Sequence, residues 1–292
     1  MPYLGELAAI TAALCWTLNS LAVERLGKGL SSWGLNTLTK LGGLITVSLL
    51  ALVMHGRLIP QATPRQWVML LFSGLIGFSI GDGFLFTAFQ QIGAKRTLLI
   101  FSANPIIAAI LGWAVMGEAL TLQHIFAILL AVTGIMIVIQ GDVPGQQKRL
   151  QWQGILWAVL ATLGQAGGVI LSKMSLESLD AIPAAQIRLV GGVIGMGIIL
   201  SILKKWGHVP PILKDKKGRQ TITVSILLGT LIGMVLSMLS IKLIPVAIAS
   251  ILFSLMPVMI LPISAFVFKE RVNAREVLGA FITVGGVSML FL

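Results

Sequence analysis

Ten runs of about 20 mostly apolar residues follow one another along the chain, at roughly 4–23, 32–54, 66–90, 94–116, 121–140, 153–172, 181–203, 220–242, 245–268 and 273–292. About 20 residues is the length an α-helix needs to cross the hydrocarbon of a bilayer. There, every backbone N–H and C=O must be satisfied within the protein, which leaves helices or closed barrels. Glycines interrupt many of the runs and apolar and polar residues do not alternate, so a barrel does not fit. The fold class expected is an all-α membrane protein of ten transmembrane helices. Charged residues make up only 11% of the chain and hydrophobic ones 57%, against about 25% charged in soluble domains. The first run has no basic segment ahead of it and is too long for the apolar core of a signal peptide, so it counts as a span.

The second half repeats the first. Residues 81–140 laid on 233–292 without a gap put Gly81 on Gly233, Ser102 on Ser254, Pro105 on Pro257, Glu118 on Glu270 and Gly134 on Gly286. Five spans per copy is an odd number, so the two copies face opposite ways in the bilayer. Inverted repeats of this kind mark transporters that work by alternating access, with substrate bound near the midplane between the halves. The expected domains are a five-helix repeat over 1–140, a linker over 141–151 and a second five-helix repeat over 152–292. Each half has too few helices to enclose a site alone. A single polypeptide is then a sufficient functional unit, and a dimer is allowed but not implied.

The net charge is +11, and six Lys/Arg lie in the 204–219 loop alone. In a membrane protein such a loop meets anionic lipid headgroups, and nucleic acid is not needed to explain it. Loops after odd-numbered spans hold 15 Lys/Arg and those after even-numbered spans four. The positive-inside rule then places both termini outside. Cys15 is the only cysteine and the three histidines are dispersed, so neither a disulfide within the chain nor a zinc ligand set is expected. No phosphate-binding Gly-x-x-x-x-Gly-Lys-Ser/Thr loop occurs. No cofactor is expected, and transport would be driven by a gradient, protons among the candidates, or by exchange.

The stretch Gly81-Asp82-Gly83-Phe84-Leu85-Phe86-Thr87-Ala88-Phe89, followed by Ile92-Gly93-Ala94-Lys95-Arg96, then Pro105 and Gly117-Glu118, resembles the EamA-type branch of the drug/metabolite transporter superfamily. The second copy offers Ile244, Pro257 and Lys269-Glu270. The resemblance covers the whole chain as two repeats. It implies ten helices, secondary transport of small metabolites, with export favoured, and residence in the bacterial cytoplasmic membrane. It also implies cytoplasmic termini, the opposite of the charge count.

Charges inside the spans single out the candidate site, because each costs about 2.5–3.5 kcal/mol at a helix centre. Lys40 lies about eight residues into the second span and Asp82 about eight from the end of the third. At about 1.5 Å per residue both sit roughly 12 Å deep on the same side. They fit a substrate site, with Asp82 taking a cationic group or a proton and Lys40 a carboxylate. They fit a structural ion pair equally. Arg188 holds the place of Lys40 in the second repeat, where Ile187-Arg188-Leu189 aligns with Thr39-Lys40-Leu41. A basic residue in both copies suggests a shared packing role, and the family often keeps one there. Asp82 aligns with Met234 and has no such partner, which makes it the first functional candidate.

Uncharged polar residues also lie deep in the spans, Asn19, Gln90, Asn104 and Gln165 among them, and the candidate pocket takes Asn19, Asn104, Gln165 and Ser254, with Trp16 and Phe86 as aromatic wall. Trp16 fits the family's first-helix tryptophan. The set would form a mostly apolar pocket with a few convergent polar groups between spans 1, 3, 4, 6 and 9. Helix–helix hydrogen bonding explains any one of them as well. Pro105 and Pro257 stand inside spans at corresponding places, where each removes a hydrogen bond and kinks its helix. Interrupted helices at matching places point to a transporter's binding region. Glu118 and Glu270 precede the fifth and tenth spans and read as structure near helix N-termini, with Thr121 and Asn273 as N-caps.

Gly77-Phe78-Ser79-Ile80-Gly81 matches the Gly-x-Ser-x-Gly elbow of hydrolases, but that motif needs a strand–turn–helix setting. Small residues four apart, as in Gly77/Gly81, Gly164/Gly168, Gly191/Gly195 and Gly229/Gly233, read instead as close helix contacts. The substrate expected is a small amphiphilic or zwitterionic metabolite such as an amino acid. A carrier of lipid-linked groups and an intramembrane hydrolase are the alternatives.

Overall fold

The computed structural model describes residues 3–107, 110, 121–139, 148–173, 175, 179–244, 246–267, 269 and 272–289. Their regular structure is helical. The first two helices are α1 (Leu4–Arg25) and α2 (Ser32–His55), and α3 (Pro64–Gly74) passes through a π-helical stretch, Leu75–Gly81, into α4 (Asp82–Phe101). Then come α5 (Leu122–Ile139), α6 (Lys148–Lys173) and α7 (Ala181–Ile202). Two short surface helices, α8 (Val209–Lys214) and α9 (Lys216–Val224), carry the basic loop. A second π-helical stretch, Ser225–Met234, joins α9 to α10 (Val235–Leu243). The chain ends with α11 (Val246–Phe253), α12 (Met256–Pro262), a third π-helical stretch, Ile263–Val267, and α13 (Ala274–Met289). Glu118, Glu270 and linker residues 141–147 lie outside the described residues.

Among the described residues, six helices are long and apolar enough to cross a membrane: Leu4–Arg25, Ser32–His55, Pro64–Phe101, Gln151–Ser172, Ala181–Ile202 and Lys216–Leu243. Leu122–Val138 and Ile251–Val267 are shorter apolar helices. The molecule is inside-out relative to a soluble protein. Val53, Leu122 and Phe266 are exposed, while Asn36, Lys40, Asp82 and Arg188 are buried. Lipid accepts that exterior and water does not. The chain is a multi-pass membrane protein.

Local chemistry sets the helix ends. Thr63 Oγ1 accepts from Gln66 N at 3.3 Å while Gln66 Oε1 accepts from Thr63 N at 2.8 Å, and Pro64 opens α3 where its missing N–H is not needed. Thr121 Oγ1 accepts from His124 N at 3.3 Å. Asn273 Oδ1 accepts from Arg275 N at 3.3 Å, and Glu276 Oε2 accepts from Asn273 N at 3.2 Å.

Glycines set the close crossings. A Cβ added to Gly164 would lie 3.0 Å from the Gly81 Cα, and one added to Gly168 3.2 Å from the Gly77 Cα. α6 therefore crosses the first π-helical stretch backbone to backbone. α5 and α13 pack on each other in the same way, Gly134 facing Gly279 and Thr283, and Gly286 facing Ala127 and Ala131.

The chain kinks within α4. At Gly93, φ is 81° and ψ 162°, a conformation essentially confined to glycine. The amide of the next residue, Ala94, is taken up by Glu24 Oε2 at 3.0 Å from the end of α1. Gln90 Nε2 donates to the Gly27 carbonyl at 2.8 Å and Ser32 Oγ donates to Gln90 Oε1 at 2.9 Å, so the α1–α2 turn is tied to the same corner.

The two prolines do not bend continuous helices as their mid-span positions suggest. Helix stops at Phe101 and restarts at Asn104, and it stops at Phe253 and restarts at Met256. Pro105 and Pro257 each fall in the first turn of the restarted helix. There the missing N–H and fixed φ suit the chain, so the interruption precedes the proline by two or three residues.

Candidate functional site

A cavity of about 220 Å³ opens at the centre of the molecule. Its wall is drawn from α1, α2, both long π-helical stretches, α4, α6, α7, α10 and the two interruptions ahead of the prolines. α5 and α13 contribute nothing to it among the described residues. Each of the two long π-helical stretches widens a helix where it passes the cavity, and such stretches recur at functional sites. Leu75–Gly81 and Ser225–Met234 sit at corresponding places of the two halves, since Gly81 aligns with Gly233.

All eight residues singled out as pocket candidates line this cavity: Trp16, Asn19, Lys40, Asp82, Phe86, Asn104, Gln165 and Ser254. Pro105 and Arg188 line it too, whereas Pro257 is buried beside it. Trp16 Nε1 donates to the Gly229 carbonyl at 3.0 Å and its ring lies 5.4 Å from that of Phe253. The tryptophan thus pins α1 to the second π-helical stretch. Asn19 stands one turn away, its Oδ1 buried without a hydrogen-bond partner among the described residues.

The polar centre is Asp82, 8% exposed, in the first turn of α4. Lys40 Nζ donates to Asp82 Oδ2 and Gln165 Nε2 donates to Asp82 Oδ1. Gln165 also reaches the Gly77 carbonyl at 3.2 Å. Both carboxylate oxygens are therefore engaged, one by an ammonium and one by an amide. Lys40 and Asp82, at one level in their spans, form a direct ion pair.

Arg188 is 3% exposed. Its guanidinium carbon lies 4.4 Å from the centre of the Phe78 ring, and Lys40 Nζ lies 4.7 Å from the same centre. Two buried cations from corresponding places of the two halves thus meet on one aromatic ring, a favourable contact when desolvated. Asp82 is within electrostatic reach of Arg188, but both its oxygens are used elsewhere. The Arg188 Nε is buried without a hydrogen-bond partner among the described residues.

Ser79 is fully buried and its Oγ donates to the Gly192 carbonyl at 2.9 Å. It sits in a π-helical stretch rather than at a strand–turn–helix elbow, and it joins the first half to α7. Among the described residues no cluster of His, Cys, Asp and Glu is arranged to hold a metal ion.

The EamA-like transporter family matches the chain twice, over residues 3–140 and 152–292. The chain belongs to that family. An uncharacterized transporter of Archaeoglobus fulgidus is 25% identical over 98% of this chain and 97% of its own length. Protein LicB of Haemophilus influenzae is 24% identical over 68% of each chain. The uncharacterized inner membrane transporter YhbE of Escherichia coli is 27% identical over 47% of this chain and 42% of its own. A solved crystal structure superposes with a TM-score of 0.69 over 98% of this chain and 95% of that one, at 15% identity, and so shares the fold.

Within this EamA-like transporter, sequence reasoning missed Phe78, Ser102 and Thr230, which also line the cavity. Phenylalanine and threonine are ordinary in apolar spans and carry no signal of their own. Ser102 had one, since it aligns with Ser254 and stands three residues before Pro105. From the sequence, Arg188 reads as a packing residue because its repeat partner is also basic. The same correspondence brings both cations to the cavity.

Proposed function

We propose that this chain is a ten-span secondary transporter that carries a small amphiphilic or zwitterionic metabolite, amino-acid-like in character, across the cytoplasmic membrane by alternating access, with export the favoured direction. The two repeats, 1–140 and 152–292, would exchange open faces around the central cavity. The observation that carries this reading is the cavity itself. It gathers residues from both halves, puts a buried ion pair and several side-chain amides and hydroxyls in an aromatic and apolar wall, and lies between helix interruptions at matching places.

Its size supports small cargo. About 220 Å³ is below the roughly 300–1,000 Å³ of pockets that enclose drug-sized molecules, which counts against a lipid-linked substrate held within it. Trp16, Asn19, Phe86, Asn104, Gln165 and Ser254 would contact substrate, with Lys40 and Asp82 as the charged centre. Coupling would come from protons or from exchange of a second substrate.

The test is counterflow in proteoliposomes. Purified protein is reconstituted with one unlabelled amino acid inside and its radiolabelled form outside. Accumulation of label above protein-free vesicles is expected for at least one neutral amino acid. Counterflow confined to sugars, nucleosides or lipid-linked groups would overturn the substrate class. Absence of counterflow for every class would overturn carriage by exchange.

A further inference from the structure

We infer that the ligand of this cavity carries a carboxylate, and that Arg188 is the residue that takes it. This rests on the reading of the cavity as the transport site and narrows what that site accepts. Three charged side chains line the cavity, Lys40, Asp82 and Arg188, and all three residues are buried. They sum to one positive charge. Lys40 and Asp82 neutralise each other directly, and Gln165 takes the remaining carboxylate oxygen. Arg188 is left with the Phe78 ring and a buried Nε that has no acceptor among the described residues. An uncompensated charge at low dielectric is costly. A ligand bringing one negative charge removes that cost.

The repeat shows where the second anion is missing. Lys40 and Arg188 hold corresponding places, but the residue corresponding to Asp82 is Met234. Met234 lines the same cavity and packs in one apolar group with Phe78 and Leu189, the residue after Arg188. The first half therefore supplies both members of an ion pair and the second half only the cation. The ligand's carboxylate is the fourth charge.

The chemistry of the seat selects among anions. Arginine presents a planar fork that matches the two oxygens of a carboxylate. A phosphate dianion would exchange a surplus of +1 for −1 in the same apolar surroundings, with no second free cation among the described lining residues. A quaternary amine would raise the charge to +2. A monocarboxylate leaves the cavity balanced; a zwitterion leaves the net charge at +1 but gives the guanidinium a direct partner while its own ammonium sits against the aromatic wall.

The experiment is a thermal-shift titration of the purified full chain with matched probes: benzoate against benzamide, L-leucine against L-leucinamide, and choline and inorganic phosphate as further controls. A ligand that binds only the folded state raises the melting temperature by mass action. Stabilisation by the carboxylate of at least one pair, and not by its amide, is expected. Arg188→Gln should weaken that binding by about 30-fold or more. Met234→Asp, which builds the missing carboxylate into the protein, should raise the melting temperature of the ligand-free protein and abolish the response. Equal stabilisation by acid and amide, a stronger response to choline or phosphate, or an unchanged response in a folded Arg188→Gln protein overturns the inference. So does a lack of stabilisation by every carboxylate. If Arg188→Gln does not fold, the acid–amide pairs in the unaltered protein decide. Counterflow that accepts amides as well as acids would reject the carboxylate and leave the transporter reading standing.

Discussion

Lys40 and Asp82 stabilise each other only while both are present. Removing one partner of a buried ion pair leaves an uncompensated charge and costs about 3–5 kcal/mol, whereas replacing both by neutral residues is often close to neutral. Asp82→Asn keeps the shape but strands the Lys40 ammonium, so its melting temperature should fall clearly. Lys40→Met combined with Asp82→Asn should recover most of that loss. Thermal unfolding of the three proteins in one detergent checks both statements. The recovered double variant should still fail in counterflow. Retained transport there would reduce the pair to architecture. That these two residues meet was legible from depth alone, since two opposite charges one helix apart at one level in hydrocarbon have few other partners. The full engagement of Asp82 was not legible, because it depends on Gln165, which arrives from the other half through a glycine crossing that composition does not announce.

Helix breaks divide into those the sequence marks and those it hides. Gly93 is marked: it stands between two apolar runs, and its backbone has a φ of 81° with a Cβ position 2.9 Å from Glu24 Oε1. Gly93→Ala should destabilise the protein by about 2 kcal/mol or more, from backbone strain and from the clash with the carboxylate that caps Ala94. Glu24→Gln, which keeps an acceptor for that amide, should be milder. Urea or thermal unfolding of both variants gives the order. The interruptions ahead of Pro105 and Pro257 are marked as well, displaced by two or three residues because proline suits the start of a helix better than its middle. The π-helical stretches are hidden. Nothing in Leu75–Gly81 separates it from α-helical apolar sequence except glycines, which the close crossings with α6 and α7 already explain.

Across the whole molecule, the six polar or charged pocket candidates, Asn19, Lys40, Asp82, Asn104, Gln165 and Ser254, were legible because a polar side chain deep in an apolar span must turn inward. Which helices stand aside was not, since α5 and α13 are as apolar as the rest and differ only in what they pack on. Orientation is a property at this scale too. The side bearing Lys204–Arg219 should face the cytoplasm by its charge, opposite to the family's usual arrangement. In a Cys15→Ala background, His208→Cys should be shielded from a membrane-impermeant maleimide in intact cells and Ile59→Cys should react. The reverse labelling would restore the usual arrangement. Asp180, at the start of α7, pairs with Lys242 on the face opposite the Glu24 corner, and that exposed ammonium holds its carboxyl below the usual carboxylate range. The interaction is therefore present at neutral pH and fades as acid protonates Asp180. At the centre, each long π-helical stretch stores extra residues in its turns. Moving such a bulge along by one position would swivel the residue it passes by about 100° and leave the rest of the rod in place. Asp82 stands one residue beyond the first stretch, so a sliding bulge would act as a gear, turning the carboxylate away from Lys40 in a single tooth.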